Sequence, residues 1–301
     1  MIFIFIRNSF YKILWRLRRE RTILFAIGSP QDFQTLVPLI READDRQLSF
    51  TIAIIGKSNL TERLPSTAAR YKSRMRVISF KKKSAPARFK FLARIAPTVL
   101  ICGAESSAKP HRYMHKLAQA ANVLGIHTYT LQHGLENIGI NYIDEEFGSD
   151  VKIASGTIFT WKCPAQLPNF ISEDIRSRCI GLGRAMQGGA RTNALSFLKE
   201  ERKILSVFEN LHWKRYSNEY RRQFYSDFIQ TVQSFPDITF LLKPHIASNW
   251  TNIHKSQFLH LPNLILIDFN ESRWREMSAA EIIDRSMAAI QLLLPLPWIL
   301  P

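Results

Sequence analysis

Short apolar, β-branched runs alternate with stretches whose apolar residues recur at helical spacing, and this alternation fills most of the chain. Thr22–Ile27 reads as a strand, 31–42 as a helix, and 48–55 and 75–80 as further strands. A helix over 87–95, a buried-type strand over 98–102 and a helix from about Pro110 to Leu124, stopped by Gly125, come next. The runs 127–131, 156–161 and 178–181 complete the strands of the first half. Such alternation predicts right-handed crossovers and a parallel sheet with helices on both faces.

From Arg184 to Arg202 the sequence turns polar and small, with Gly188 and Gly189, and reads as a linker that is part helical over 194–200. The alternation then restarts at Lys203. A strand over 204–208, a long helix over 218–234, strands over 238–242 and 264–267, a short helix over 279–285 and an apolar run over 288–293 follow. The fold class is therefore α/β, with two doubly wound, Rossmann-like domains. The divisions are a basic segment at 1–20, a first domain at 21–183, the linker at 184–202 and a second domain at 203–301. Leu292–Pro301 is wholly apolar and carries three prolines, which forbid a normal helix after the last strand. The second sheet is accordingly expected to be incomplete, with one face bare, as in a shortened form of a longer protein; the alternative is a natural tail that tucks against the first domain.

Composition excludes disorder: of 301 residues, 46% are hydrophobic and 22% charged. Three cysteines without ligand spacing give neither a disulfide framework nor a structural zinc site, which fits a reducing cytoplasm. A formal charge of +16 points to anionic partners, whether nucleic acid, anionic lipid or phosphorylated small molecules. Within residues 1–20, Phe3, Ile6, Phe10, Ile13, Leu14 and Leu17 share one helical arc, with basic residues outside it. That pattern fits an interfacial helix on an anionic membrane, or equally a helix packed on its own protein. No stretch there reaches the ~20 apolar residues of a spanning helix.

Ligands in doubly wound folds bind beyond the carboxyl ends of the strands. Two histidines fall there, His133 directly after the 127–131 strand and His245 after the 238–242 strand. An imidazole can take a proton from an attacking hydroxyl near neutral pH. Gly134 permits close backbone approach to a ligand. Lys243 and His245 suit a diphosphate leaving group. The alternative is that each histidine simply ends a strand with its hydrogen bonds satisfied.

With a His-Gly after a late strand of the first half and a Lys-Pro-His after an early strand of the second, the chain resembles the GT-B glycosyltransferases. More narrowly, it is similar to the bacterial capsule, surface-polysaccharide and CDP-glycerol glycerophosphotransferase group. The resemblance implies that His133 is the catalytic base and that Lys243 and His245 bind the nucleotide diphosphate. It also makes Lys214 and Arg215, after the first strand of the donor domain, candidate phosphate contacts; the alternative is a solvated helix start. The glycerophosphotransferases usually carry Trp before His-Gly and Pro after the second His, where this chain has Gln132 and Ile246. A sugar nucleotide therefore stands beside a polyol phosphate as the implied donor.

Other motifs do not fit. His111 and His115 have helical i, i+4 spacing, but Arg112 stands where a zincin carries Glu. Asp44-Asp45 and Asp144-Glu145-Glu146 read as solvated loops, and no Asp-x-Asp is present to hold a metal against a diphosphate. No metal or other cofactor is expected, the nucleotide-activated donor being a substrate. Eleven Lys or Arg and no Asp or Glu lie between Arg63 and Arg94, a basic patch suited to anionic lipid or to a solvated face. Nucleic acid is the least favoured partner, since no RRM, KH or helix-turn-helix pattern appears. The expectation is a nucleotide-sugar-dependent transferase acting on a lipid-linked or polysaccharide acceptor at the inner face of a bacterial membrane. A non-catalytic binding protein on the same fold is the alternative.

Overall fold

The computed structural model describes residues 22–55, 64, 66–78, 85–108, 111–132, 151–167, 169, 171–183, 195, 197–198, 203–211, 216–245, 250–268, 271, 274, 277 and 279–291. The chain divides into two compact units, 1–187 and 188–301. The first contains β1 (Thr22–Ile27), α1 (Pro30–Asp45), β2 (Ser49–Ile55), β3 (Met75–Ile78), α2 (Ala85–Ile95), β4 (Val99–Cys102) and α3 (Arg112–Leu124). It continues through β5 (His127–Leu131), β6 (Thr157–Thr160), the single-turn α4 (Glu173–Arg176) and β7 (Cys179–Gly181). All seven strands are parallel, in the order β3-β2-β1-β4-β5-β6-β7.

This order follows from burial. β1 is apolar on both faces because it lies inside the sheet, so its sequence runs apolar without alternation. Phe25 and Ile27 meet Phe33, Leu36 and Ile40 of α1 on one face. Leu24 and Ala26 meet Leu92 of α2 and Met114, Leu117 and Ala121 of α3 on the other. Local signals set the helix ends. The Ser29 hydroxyl accepts the Asp32 N–H at 3.1 Å to cap α1, ahead of Pro30. Gly125 closes α3 in the left-handed region, φ 82°.

Chain reversal at β1 and β4 makes these two strands the switch point of the sheet. There Asp32 is buried, and its Oδ2 accepts the Gly28 N–H at 2.8 Å. Burial pushes its carboxyl up to about 6, against the opposing pull of the Gly28 and Ser29 hydrogen bonds. Gly103, which follows β4, passes so close that a Cβ there would lie 2.6 Å from that of Asp32. Only glycine fits.

The second unit holds β8 (Lys203–Glu209), α5 (Asn218–Ser234), β9 (Ile238–Pro244), α6 (Trp250–Phe258), β10 (Leu264–Leu266), α7 (Ala279–Asp284) and β11 (Ala288–Gln291). Its four strands are parallel, in the order β10-β9-β8-β11. Val207, Phe240 and Leu242 pack under Tyr225, Phe228 and Val232 of α5 and Phe258 of α6. On the opposite face Ile204 and Leu241 meet Ile282 of α7, Trp274 and Met277. Leu195 and Leu198, from the stretch expected as a linker, belong to that same cluster, and a turn bonds the Leu198 N–H to the Leu195 carbonyl.

The expectation of a bare sheet face therefore needs correction over β8 and β9, which are covered on both sides. The coverage thins at β11, where Ile290 is 49% exposed. Residues 1–20 and 292–301 lie outside the described residues, and no described helix is long and apolar enough to cross a membrane.

A second correction concerns charge. Asp44 and Asp45 are not in a loop but in the last turn of α1, where acids oppose the helix dipole. Asp44 is answered by Arg70 at 2.8 Å and Arg74 at 3.5 Å, both on a 3-10 helix over Ser66–Arg74. Arg74 also lies 4.2 Å over the Phe50 ring. Two cations of the expected basic patch thus serve the fold.

Candidate functional site

In the second unit, the carboxyl edge of the sheet gathers the ends of β8 and β9. Their register sets Lys243 opposite Phe208 and Pro244 opposite Glu209, and the His245 N–H continues the ladder by donating to the Glu209 carbonyl at 2.9 Å. Lys243 and His245, two positions apart on extended chain, therefore project to the same side.

Lys243 donates from Nζ to the Met277 carbonyl at 3.3 Å. Burial holds its ammonium down to about 8. His245 is more exposed, and its imidazole is also held below the ordinary value, first by partial desolvation and then by the neighbouring Lys243 charge. At neutral pH the edge thus presents one cation with an incomplete hydration shell beside a neutral imidazole. That pairing suits a ligand that brings negative charge.

Two residues not singled out from the sequence hold this edge. Glu209 is buried at the end of β8, and its carboxylate accepts the Leu211 N–H in a short contact. Arg221, buried on α5, donates from Nε to the Leu211 carbonyl at 2.9 Å and from Nη1 to Asn218 at 2.9 Å. Together they clamp the turn leading toward Lys214 and Arg215, which lie outside the described residues. On the next strand end Asp268 pairs with Lys255 at 2.8 Å.

In the first unit, His133 and Gly134 also fall outside the described residues, but the positions flanking that stretch are tightly wired. Gln132 is buried. It donates its N–H to Phe159 at 2.9 Å, accepts the Trp161 N–H on its side chain at 2.8 Å, and accepts the Trp161 indole N–H on its carbonyl at 3.1 Å. Beyond the stretch, Ala154 and Ser155 donate their backbone N–H groups to the fully buried Glu105 carboxylate, Ser155 at 3.0 Å. The Ser155 hydroxyl adds a third donor at 2.9 Å, and His115 Nδ1 closes on the other oxygen. His115 is therefore a buried partner of Glu105, whereas His111 sits at the N-cap of α3. Among the described residues no group of three His, Cys, Asp or Glu side chains is placed to hold a metal ion.

No protein-family model matches the chain, and no curated protein matches it. Solved structures do. A UDP-GlcNAc 2-epimerase from Neisseria meningitidis, bound to UDP-GlcNAc, superposes with a TM-score of 0.64 over 90% of this chain and 77% of its own, at 12% identity. The Methanocaldococcus jannaschii UDP-GlcNAc 2-epimerase, in complex with UDP-GlcNAc and UDP, gives 0.57 over 90% and 78%, at 13% identity. A spinosyn rhamnosyltransferase complexed with thymidine diphosphate gives 0.53 over 90% and 75%, at 8% identity. Identities this low carry architecture and not activity; with two parallel Rossmann-like sheets in succession, the chain has the GT-B fold.

Proposed function

We propose that the protein is a nucleotide-sugar-dependent glycosyltransferase whose second unit holds the donor diphosphate at Lys243 and His245. The observation that carries this reading is the half-desolvated Lys243 ammonium beside His245, at the strand edge where doubly wound sheets take ligands. The similar solved structures named above hold UDP-GlcNAc, UDP or thymidine diphosphate, which supports a nucleoside diphosphate as the ligand class.

In the proposed reaction His133 removes the proton from an acceptor hydroxyl as that oxygen bonds to the anomeric carbon. The bond from that carbon to the diphosphate breaks, and its electron pair leaves on the diphosphate oxygen. Lys243 meets that charge, with Lys214 and Arg215 as further phosphate contacts and Gly134 allowing the backbone to approach. The proposed acceptor is a lipid-linked or polysaccharide chain of the bacterial surface, and a polyol phosphate donor is the variant chemistry.

Calorimetric titration with UDP, thymidine diphosphate and CDP tests the ligand class. Lys243→Ala is expected to weaken binding by about 10–100-fold, the loss of one charge-assisted contact of ~1.5–3 kcal/mol. Because burial holds the Lys243 ammonium down to about 8 before ligand binds and a bound diphosphate favours its charged form, affinity should be full below that pH and fall above it. A protein that binds none of the three nucleotides would overturn the reading.

A second reading rests on the epimerase likenesses, whose TM-scores exceed that of the rhamnosyltransferase. Incubation with UDP-GlcNAc separates the two: inversion at C2 without acceptor favours an epimerase, and acceptor-dependent UDP release favours a transferase. Binding without turnover would leave a non-catalytic binding protein on this fold.

The basic amphipathic segment 1–20 and the remaining cations of 63–94 support an anionic membrane surface as partner. Vesicle co-sedimentation should require anionic lipid, weaken with salt and drop when residues 1–20 are removed. Equal binding to neutral and anionic vesicles would contradict it.

A further inference from the structure

Asn210, the first residue after β8, stands at the carboxyl edge of the second sheet. Its place follows from strand alternation. Along β8, Leu205 and Val207 pack toward α5, whereas Ile204 and Phe208 pack toward α7 and Trp274. Glu209 faces the α5 side, where its carboxylate accepts the N–H of Leu211, a member of the α5 cluster. One position further, Asn210 falls on the face of Phe208. On β9 the same alternation turns Leu242 toward α5 and Lys243 toward Met277. Because the register sets Lys243 opposite Phe208 and Pro244 opposite Glu209, Asn210 comes beside His245, on the Lys243 side of the sheet.

The backbone on either side of Asn210 is fixed. The Glu209 carbonyl accepts the His245 N–H at 2.9 Å, and the Leu211 carbonyl accepts Arg221 Nε at 2.9 Å. Held between these bonds, Asn210 buries its carboxamide oxygen, and that oxygen meets no donor among the described residues. A buried acceptor without a donor weakens a fold, so this amide does not serve folding. The residue as a whole is only half-buried, and the χ2 of an asparagine turns between two broad settings, so its oxygen can reach the open side.

Donor and acceptor chemistry names the partner. The phosphate oxygens of an ionised diphosphate only accept hydrogen bonds, and at this edge they suit Lys243. A carboxamide oxygen also accepts, and so it needs a ligand group that donates. In a nucleotide sugar the donors flanking the diphosphate are hydroxyls, those of the ribose on one side and of the transferred sugar on the other. Building on the donor site proposed above, we infer that Asn210 accepts a hydrogen bond from a hydroxyl flanking the diphosphate and so selects a hydroxylated ligand over its deoxygenated analogue.

Calorimetry on Asn210→Ala in the full chain, with UDP, 2′,3′-dideoxy-UDP and UDP-GlcNAc, tests this. A ribose contact predicts that the variant binds UDP about 3–10-fold more weakly yet binds the dideoxy nucleotide as the wild type does. A contact to the transferred sugar predicts the same loss for UDP-GlcNAc, with UDP unchanged. Because the oxygen has no partner in the fold, the ligand-free variant should melt no lower than the wild type. A lower melting temperature, or an equal loss for all three ligands, would give Asn210 a part in the fold and overturn the inference. If Lys243→Ala weakens UDP binding while Asn210→Ala changes no affinity, this inference alone falls. If the wild type binds none of the three ligands, the donor-site reading falls with it.

Discussion

Replacing Glu105 with alanine is expected to destabilise the protein by about 3–5 kcal/mol, the cost of stripping a buried ionic group from its partners. The carboxylate is fully buried and accepts from two backbone N–H groups, one hydroxyl and one imidazole. Without it the N–H groups of Ala154 and Ser155 stay buried with nothing to accept them, and His115 loses its partner. Glu105→Gln keeps an acceptor of the same length and should lose less than half as much. Urea unfolding of both variants, followed by circular dichroism, measures the difference. Equal losses would show that the two-oxygen carboxylate, and not the shape of the side chain, holds residues 151–155 against the end of β4.

Removal of the His133 imidazole is the second large effect. If it is the general base, His133→Ala should lower kcat by ~10²-fold or more while leaving nucleotide affinity nearly unchanged. The preceding residue makes the experiment clean. Gln132 is held by hydrogen bonds to Phe159 and Trp161 that the substitution does not touch, so β5 should keep its place. Acceptor-dependent release of the nucleoside diphosphate at saturating donor measures kcat, and calorimetry measures affinity. An unchanged kcat would remove His133 from the reaction.

The strands and long helices were legible because their determinants are local. Val99–Cys102 is paired on both edges and apolar throughout, so it needs no alternation to be read as a strand, and Gly125 ends α3 through its own backbone freedom. Other elements were not legible. Between Trp250 and Phe258 the residues of α6 are mostly polar, and what secures that helix is Phe258 inserted under α5. Ser66–Arg74 likewise depends on Asp44 and Phe50, which stand on earlier elements.

The same division runs through the site. Lys243 lies near the end of a strand that the pattern reveals and His245 directly follows it, so their position at the sheet edge could be read directly. Glu105 gave no signal, because the donors that make its burial tolerable come from Ser155, 50 positions further along. Glu209 and Arg221 were missed for a related reason. Each acts through the backbone of Leu211 and has no motif of its own.

The wholly parallel pairing of both sheets has a consequence for biosynthesis. The Thr22 carbonyl is met by Thr98, 76 positions later, and β8 gains its outer neighbour only when Ala288–Gln291 arrives. A ribosome adding about 5–20 residues per second leaves the apolar edge of β1 unmatched for several seconds, far longer than hydrophobic collapse takes. Non-local pairing of this kind also folds slowly once the chain is complete. The nascent protein is thus a natural client for a chaperone that shields exposed strand edges, and its yield in cells should depend on synthesis rate more than on the stability of the finished fold.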